Sequence, residues 1–63
     1  MKIKVGERWL IKLHDHRLKE VTILEISPSN KYYKTEEGWR EYPIHVEKEY
    51  FHELLSVKKD INN

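Results

Sequence analysis

The chain has 63 residues, no cysteine, and 37% charged residues that nearly balance to a net charge of +1. A chain this short buries only about 60% of the surface that its unfolded form exposes, so we expect one domain with a small core. The composition excludes disulfide-stapled folds and thiolate metal sites, and no apolar run approaches the roughly 20 residues of a membrane-spanning helix.

Charge is distributed unevenly along the chain. Residues 1–34 carry a net charge of +4 and residues 35–63 a net charge of −3, so the folded surface can have a basic side and an acidic side. Nucleic-acid-binding domains usually show a stronger basic bias, whereas mixed charge is typical of a soluble surface. The absence of cysteine fits a reducing, cytoplasmic setting. Residues 1–5 lack the apolar core of a signal peptide, so we expect a soluble protein with no membrane segment.

Hydrophobic periodicity predicts two strands in the N-terminal part of the chain. Lysine alternates with branched apolar residues over residues 1–5, which is the period of a strand. A second strand over residues 7–13 directs Trp9, Ile11 and Leu13 to one face. The polar stretch that follows predicts a loop.

Residues 18–26 give the strongest strand prediction, but the alternation changes phase within them. Val21 and Ile23 share one face, whereas Leu24 and Ile26 share the opposite face. This change predicts either that both faces are covered or that the strand bends at a bulge between Ile23 and Leu24. Strong bending is what a small, tightly curled barrel requires.

Turn residues predict two hairpins in the middle of the chain. The Ser-Pro-Ser-Asn sequence at residues 27–30 favours a tight turn, because proline fixes φ and asparagine tolerates the left-handed region. The next strand directs Tyr33 inward and Tyr32 outward. The Glu-Glu-Gly sequence at residues 36–38 predicts the second hairpin, and Pro43 ends the strand that follows.

The period becomes helical after Pro43. The residues that fall at helical spacing are Val46, Tyr50, Phe51, Leu54 and Leu55. Acidic residues near the start and lysines near the end suit the dipole of a C-terminal helix. We expect its apolar stripe to cover the sheet, with docking to a partner groove as the alternative.

The predicted fold class is therefore mainly β. We expect a small SH3-like barrel or a curled antiparallel sheet of four to five strands, followed by a C-terminal helix. An open antiparallel meander with the helix across one face is the alternative. Residues 1–57 would form the single domain and residues 58–63 a polar tail.

Several segments occur in an order that is similar to small uncharacterised phage and prophage proteins with an SH3-like barrel. They are Trp9-Leu10-Ile11-Lys12, residues 21–29, Lys31-Tyr32-Tyr33-Lys34, Trp39 and Glu53-Leu54-Leu55. In that group a tryptophan opens the first long strand, a Ser-Pro-Ser turn closes the central hairpin, and a second tryptophan and a Leu-Leu pair follow. The resemblance covers residues 6–55 and implies an SH3-like fold and a viral or mobile-element origin. It implies no catalytic residues, and Asn30 stands where glycine is commoner.

The candidate partner-binding residues are aromatic or basic: Lys31, Tyr32, Lys34, Arg40 and Tyr42. Aromatic residues and arginine commonly anchor protein interfaces, and aromatics beside basic residues also stack the bases of single-stranded nucleic acid. The simplest interpretation places Trp9, Tyr33 and Trp39 in the core, because a small domain needs large side chains to bury enough area.

Histidine and acidic residues offer the remaining chemistry. His14 and His16 flank Asp15, and two imidazoles at this spacing can hold a divalent metal if His45 and His52 come near. Loop histidines are more commonly solvated, so we expect no metal site and no cofactor.

We also expect no enzymatic activity, because catalysis needs a nucleophile or an acid–base pair in a pocket that excludes water. Glu36 and Glu37 are adjacent, so within a strand they would point to opposite faces. Ser27 and Ser29 flank a turn proline, where their hydroxyls cap the backbone. The two glycines form no phosphate-binding loop.

The sequence thus predicts a non-enzymatic interaction module that binds another protein. The alternative is a small β-barrel that binds nucleic acid. A third hypothesis is weak homo-oligomerisation through an open strand edge near residues 2–5, so we expect a monomer or a weak homo-oligomer.

Overall fold

The computed structural model describes residues 2–57. Its elements are β1 (Glu7–Lys12), β2 (Leu18–Thr22), β3 (Glu25–Ile26), β4 (Tyr32–Thr35), β5 (Gly38–Glu41), α1 (Glu47–Tyr50) and β6 (Phe51–Val57). The strands pair antiparallel into two three-stranded sheets, with the orders β2-β1-β6 and β3-β4-β5. The described part of the chain is mainly β, as predicted, but no closed barrel forms within it. The predicted tail at residues 58–63 lies outside the described residues.

Of the two predicted alternatives near Ile23 and Leu24, the structure agrees with a break in the strand rather than with two covered faces: β2 ends at Thr22, β3 begins at Glu25, and the chain passes from one sheet to the other between them. The Ile23 N–H donates to the Glu7 carbonyl of the first sheet at 2.9 Å. The Leu24 N–H donates to the Lys34 carbonyl of the second sheet at 2.8 Å. Ile23 is fully buried and Leu24 is exposed, so the change of phase in the sequence marks a change of sheet.

Both predicted hairpin turns are also confirmed. Asn30 adopts a φ of 62°, and its N–H donates to the Ser27 carbonyl at 2.9 Å. Gly38 adopts a φ of 109°, a conformation that side-chain-bearing residues rarely adopt. This turn pairs Thr35 with Gly38 and sets the register of β4 and β5.

The core lies between the two sheets and is rich in aromatic residues. Its buried hydrophobic residues are Ile3, Trp9, Ile11, Val21, Ile23, Tyr33, Tyr42 and Phe51. The Phe51 ring centroid lies 5.6 Å from those of Trp9 and Tyr33, so this residue joins the sheets. Trp9 and Tyr33 are in the core as predicted. Trp39 is 51% exposed, so its placement in the core was wrong.

The strand predicted over residues 1–5 does not form in the part that the structure describes. Residues 2–4 have no regular structure, and a turn follows at Val5 and Gly6. The Glu7 carboxylate accepts the Lys4 N–H at 2.7 Å, and the Glu7 N–H donates to the Lys4 carbonyl at 3.2 Å. These bonds hold Lys4 in a turn instead of a strand pair, although Ile3 still points inward.

The predicted C-terminal helix is largely wrong. Only Glu47–Tyr50 is helical, and no side chain caps its first residue. From Phe51 onward the chain pairs with β1, where Phe51 lies opposite Ile11 and Leu54 opposite Trp9. Pairing with a distant strand therefore overrides the local helical spacing. Among residues 2–57 no helix is long and apolar enough to cross a membrane.

Candidate interaction surface

The outer face of the second sheet carries two exposed aromatic side chains. Along β4, Tyr33 points into the core, so Tyr32 and Lys34 point outward. Lys34 lies opposite Trp39 on β5 and opposite Glu25 on β3. We call this outer surface the aromatic face; its residues are Glu25, Pro28, Tyr32, Lys34 and Trp39.

A shallow groove of about 500 Å³ runs across the aromatic face. It is lined by Glu25, Ser27, Pro28, Tyr32 and Trp39. Tyr32 is 49% exposed and Trp39 is 51% exposed. The groove is therefore built from rings that are held on a sheet but are not needed by the core.

The Ser-Pro-Ser turn fixes one wall of the groove. The Ser27 N–H donates to the Tyr32 carbonyl at 3.0 Å, and the Ser27 hydroxyl accepts the Tyr32 N–H at 3.1 Å. The Ser29 hydroxyl accepts the Lys31 N–H at 3.3 Å. Both serine hydroxyls thus bind backbone, as predicted, and they hold Pro28 beside Tyr32.

The charges around the groove are mixed. The Lys34 ammonium lies 6.0 Å from the centroid of the Trp39 ring, within range of a cation–π interaction. Lys31 is exposed in the turn next to Tyr32. Neither Glu25 nor Glu41 forms an ion pair with another residue in the range 2–57.

The structure brings together three of the five predicted binding residues and separates the other two. Lys31, Tyr32 and Lys34 are on or beside the aromatic face. Arg40 lies opposite Tyr33 and therefore on the other side of the sheet. Its Nη2 donates to the Glu37 carboxylate at 3.2 Å, and its buried Nε has no hydrogen-bond partner among the described residues.

Tyr42 is a core residue, and only a small part of its ring reaches the surface. It is 6% exposed, its hydroxyl accepts the Lys2 N–H at 2.9 Å, and the same hydroxyl donates to Glu47. Burial, together with the bond to Glu47, raises the pKa of Tyr42 to about 12. Its placement on a partner-binding surface is therefore corrected. The ring packs in the core, and the hydroxyl is already bonded to Lys2 and Glu47.

Arg40 and Tyr42 line a second, larger depression of about 740 Å³. Its lining also contains Lys12, His14 and His45, so it holds more basic than acidic groups. His14 and His45 share this depression, but no three metal-ligating side chains come together anywhere in residues 2–57.

The two glutamates of the second hairpin join the sheets, which sequence reasoning missed. Glu36 accepts the Thr22 N–H at 2.8 Å and pairs with Arg8 at 3.0 Å. The bond from Thr22, helped by Arg8, lowers the pKa of Glu36 to about 2. Glu37 pairs with Lys19 at 2.5 Å, which lowers its pKa. The available signal would have been two adjacent acids at a hairpin tip, which suit contacts with basic side chains elsewhere in the fold.

Sequence reasoning also missed Trp39 as a surface residue. Alternation allows either Trp39 or Tyr42 to point inward, and the buried polar contacts of Tyr42 decide the phase. The function of the aromatic face has to be argued from this geometry alone. Comparisons with family models, curated proteins and solved structures find no match to the chain.

Proposed function

We propose that this chain is a non-enzymatic interaction module that binds another protein through the aromatic face. One observation carries the proposal: Tyr32 and Trp39, both about half exposed, line a groove on the outside of a sheet. Tyrosine and tryptophan are enriched among the residues that dominate binding energy at interfaces.

The rigidity of the groove supports this function. Tyr32 is bonded through its backbone to Ser27, and Trp39 belongs to the paired strand β5. Because the backbone under both rings is already ordered, no backbone has to be ordered when a partner binds, and less of the binding energy is offset. We propose that the partner presents an extended apolar segment. Such a segment can lie along a shallow, open groove, whereas a single inserted side chain needs a deeper pocket.

The test compares Trp39→Ala with Leu18→Ala, a matched control. Leu18 is 47% exposed on β2 of the other sheet. Each variant and the wild type are immobilised and exposed to host lysate, and any captured protein is purified and titrated. We expect binding by the wild type and by Leu18→Ala, and at least about a tenfold loss in Trp39→Ala. Equal affinity of all three proteins would overturn the proposal.

Intrinsic fluorescence gives a second readout of the same complex. Trp9 is 6% exposed and Trp39 is 51% exposed, so acrylamide quenches mainly Trp39. The purified partner should reduce quenching and shift the emission to shorter wavelength. Unchanged quenching at saturation would mean that the partner binds elsewhere.

Binding of single-stranded nucleic acid is the second candidate function. The observation that favours it is the Lys34 ammonium above the Trp39 ring, with Lys31 beside Tyr32. Bases could stack on these rings while the lysines neutralise phosphates. Labelled single- and double-stranded oligonucleotides would then bind with micromolar affinity that falls with salt and is lost in Tyr32→Ala. Absence of binding at low salt would exclude generic nucleic acid.

We further propose that the two sheets are an opened form of an SH3-like barrel, in a cytoplasmic accessory protein of a phage or similar element. Support comes from the sequence resemblance, from the bend at Ile23 and Leu24, and from a composition without cysteine. An NMR structure tests the fold: closure requires backbone hydrogen bonds along the length of a strand pair that joins the two sheets.

A further inference from the structure

Strand β6 leaves one edge and much apolar surface uncovered. Within residues 2–57 it pairs only with β1, so its other edge carries backbone groups without a strand partner. Six of its seven residues are exposed. Leu54 is 42%, Leu55 39% and Val57 53% exposed. An exposed apolar edge of this kind is a template for pairing with another strand.

The opposite edge of the same sheet is protected. On β2, the Thr22 N–H donates to the Glu36 carboxylate at 2.8 Å. Lys19 of this strand forms an ion pair with Glu37 at the same hairpin tip. A new strand could pair with β2 only by breaking these contacts. The fold therefore protects one edge with charges and a hairpin tip, and leaves the other open.

We infer that two copies of this chain associate through antiparallel pairing of their β6 edges. The proposal does not depend on the aromatic face, which lies on the other sheet. It moves the predicted site of self-association from residues 2–5, which form no strand, to β6. The result would be a continuous six-stranded sheet with the order β2-β1-β6-β6-β1-β2.

The sequence of β6 is compatible with its own copy. Pairing centred on Leu54, on Leu55 or between them places Glu53 opposite Leu55, Val57 or Ser56 of the second copy. No carboxylate then faces a carboxylate, a contact that would oppose pairing. The strand spans at most about 23 Å at roughly 3.3 Å per residue, and two register shifts interrupt its pairing with β1. One strand pair buries less than a standard interface, so we expect a dissociation constant on the order of 100 µM.

Sedimentation velocity from about 10 µM to about 1 mM tests the inference by mass action. The wild type should shift from monomer to dimer over this range. Leu55→Lys places a charge on the open edge and should stay monomeric. Leu18→Lys is the matched control, because it places the same charge on a similarly exposed leucine of the protected edge; it should dimerise like the wild type, as should Trp39→Ala.

Amide hydrogen exchange then separates edge pairing from other contacts. Exchange in β6 should slow as the wild-type concentration rises, while exchange in β4 stays constant. Far-UV circular dichroism confirms that each variant is folded, and Ser56→Lys serves as a second edge variant if Leu55→Lys is not. A wild type that is monomeric at the highest concentration overturns self-association. The β6 edge would then be available only for pairing with a strand of another protein. Equal dimerisation of the wild type and the folded edge variant also overturns it.

Discussion

The two tryptophans show how differently the two sheets use a large side chain. Trp9 lies on the central strand of the first sheet, is 6% exposed, and donates its indole N–H to Glu7 at 2.9 Å. Trp39 lies on an edge strand of the second sheet and is 51% exposed. Each has a lysine near its ring, Lys2 at 5.7 Å and Lys34 at 6.0 Å. Both residues are tryptophans with a lysine nearby. Their exposures differ because Trp9 lies on the inner face of its sheet and Trp39 on the outer face of the other sheet.

Polar contacts of Tyr42, the residue after β5, decide which face of this strand points towards the core. Burying the ring of Tyr42 requires partners for its hydroxyl, and Lys2 and Glu47 supply them. With Tyr42 inside, alternation places Trp39 outside. The second sheet thus exposes the Trp39 ring because Tyr42 occupies the inward-facing position.

The largest expected difference is in stability. Trp9→Ala removes a core side chain that contacts Phe51 and should lower the free energy of unfolding by about 3–5 kcal/mol. Trp39→Ala removes a half-exposed ring and should change it by less than about 1 kcal/mol. Urea denaturation measures both. Similar losses in the two variants would contradict the assignment of Trp39 to a binding surface.

The second difference concerns the buried carboxylate beside Trp9. One oxygen of Glu7 accepts both the Trp9 indole N–H and the Lys4 N–H, at 2.9 and 2.7 Å. Glu7→Ala leaves two donors without a partner and should cost about 1–3 kcal/mol. Glu7→Gln keeps an oxygen that can accept both bonds and should retain most of the stability. Equal losses in a urea titration would show that the charge, rather than the acceptor, is required.

Sequence reasoning located the turns and the irregularity near Ile23 and Leu24 because their causes are local, although it did not predict that the chain changes sheet there. Asn30 and Gly38 adopt positive φ angles that their residue types favour, and the phase change at Ile23 and Leu24 is visible in the alternation. The C-terminal strand was missed because its cause is distant. Phe51 points inward in a helix or a strand, and only pairing with Ile11 separates the two.

The aromatic face was predicted only in part for a similar reason. Tyr32 was placed outside because Tyr33 next to it had to be inside. The phase of the next strand could not be settled locally, since Trp39 and Tyr42 are both aromatic and lie on opposite faces. Contacts of Tyr42 with Lys2 and Glu47, far apart in the chain, settle it.

The third prediction concerns the hairpin tip that joins the sheets. The pKa of Glu36 falls from 4.5 to about 2 on folding. A carboxyl with a depressed pKa stabilises the fold above pH 4.5, and this contribution is lost as the pH falls towards 2. Because the side chain is 46% exposed, solvent screening limits the effect to about 1 kcal/mol.

Glu36→Gln tests this contribution. The variant should be less stable than the wild type at pH 7 and equal to it near pH 2, because protonated Glu36 has also lost its charge. Glu20→Gln is the control, since Glu20 pairs with the same Arg8 at 2.7 Å but accepts no backbone N–H from residues 2–57. Thermal unfolding across this pH range measures the difference. A constant gap between Glu36→Gln and the wild type would contradict the assigned cause.

The smallest expected effect returns to the two tryptophans and their lysines. Lys2→Gln and Lys34→Gln each remove a cation near a ring, and each should change stability by about 0.5 kcal/mol or less. Their fluorescence should differ, because Trp9 stays covered by the core whereas Trp39 is covered in part by the lysine stem. Acrylamide quenching should therefore increase in Lys34→Gln and stay unchanged in Lys2→Gln. An increase in Lys2→Gln alone would mean that the N-terminal segment, rather than the sheet, keeps Trp9 from water.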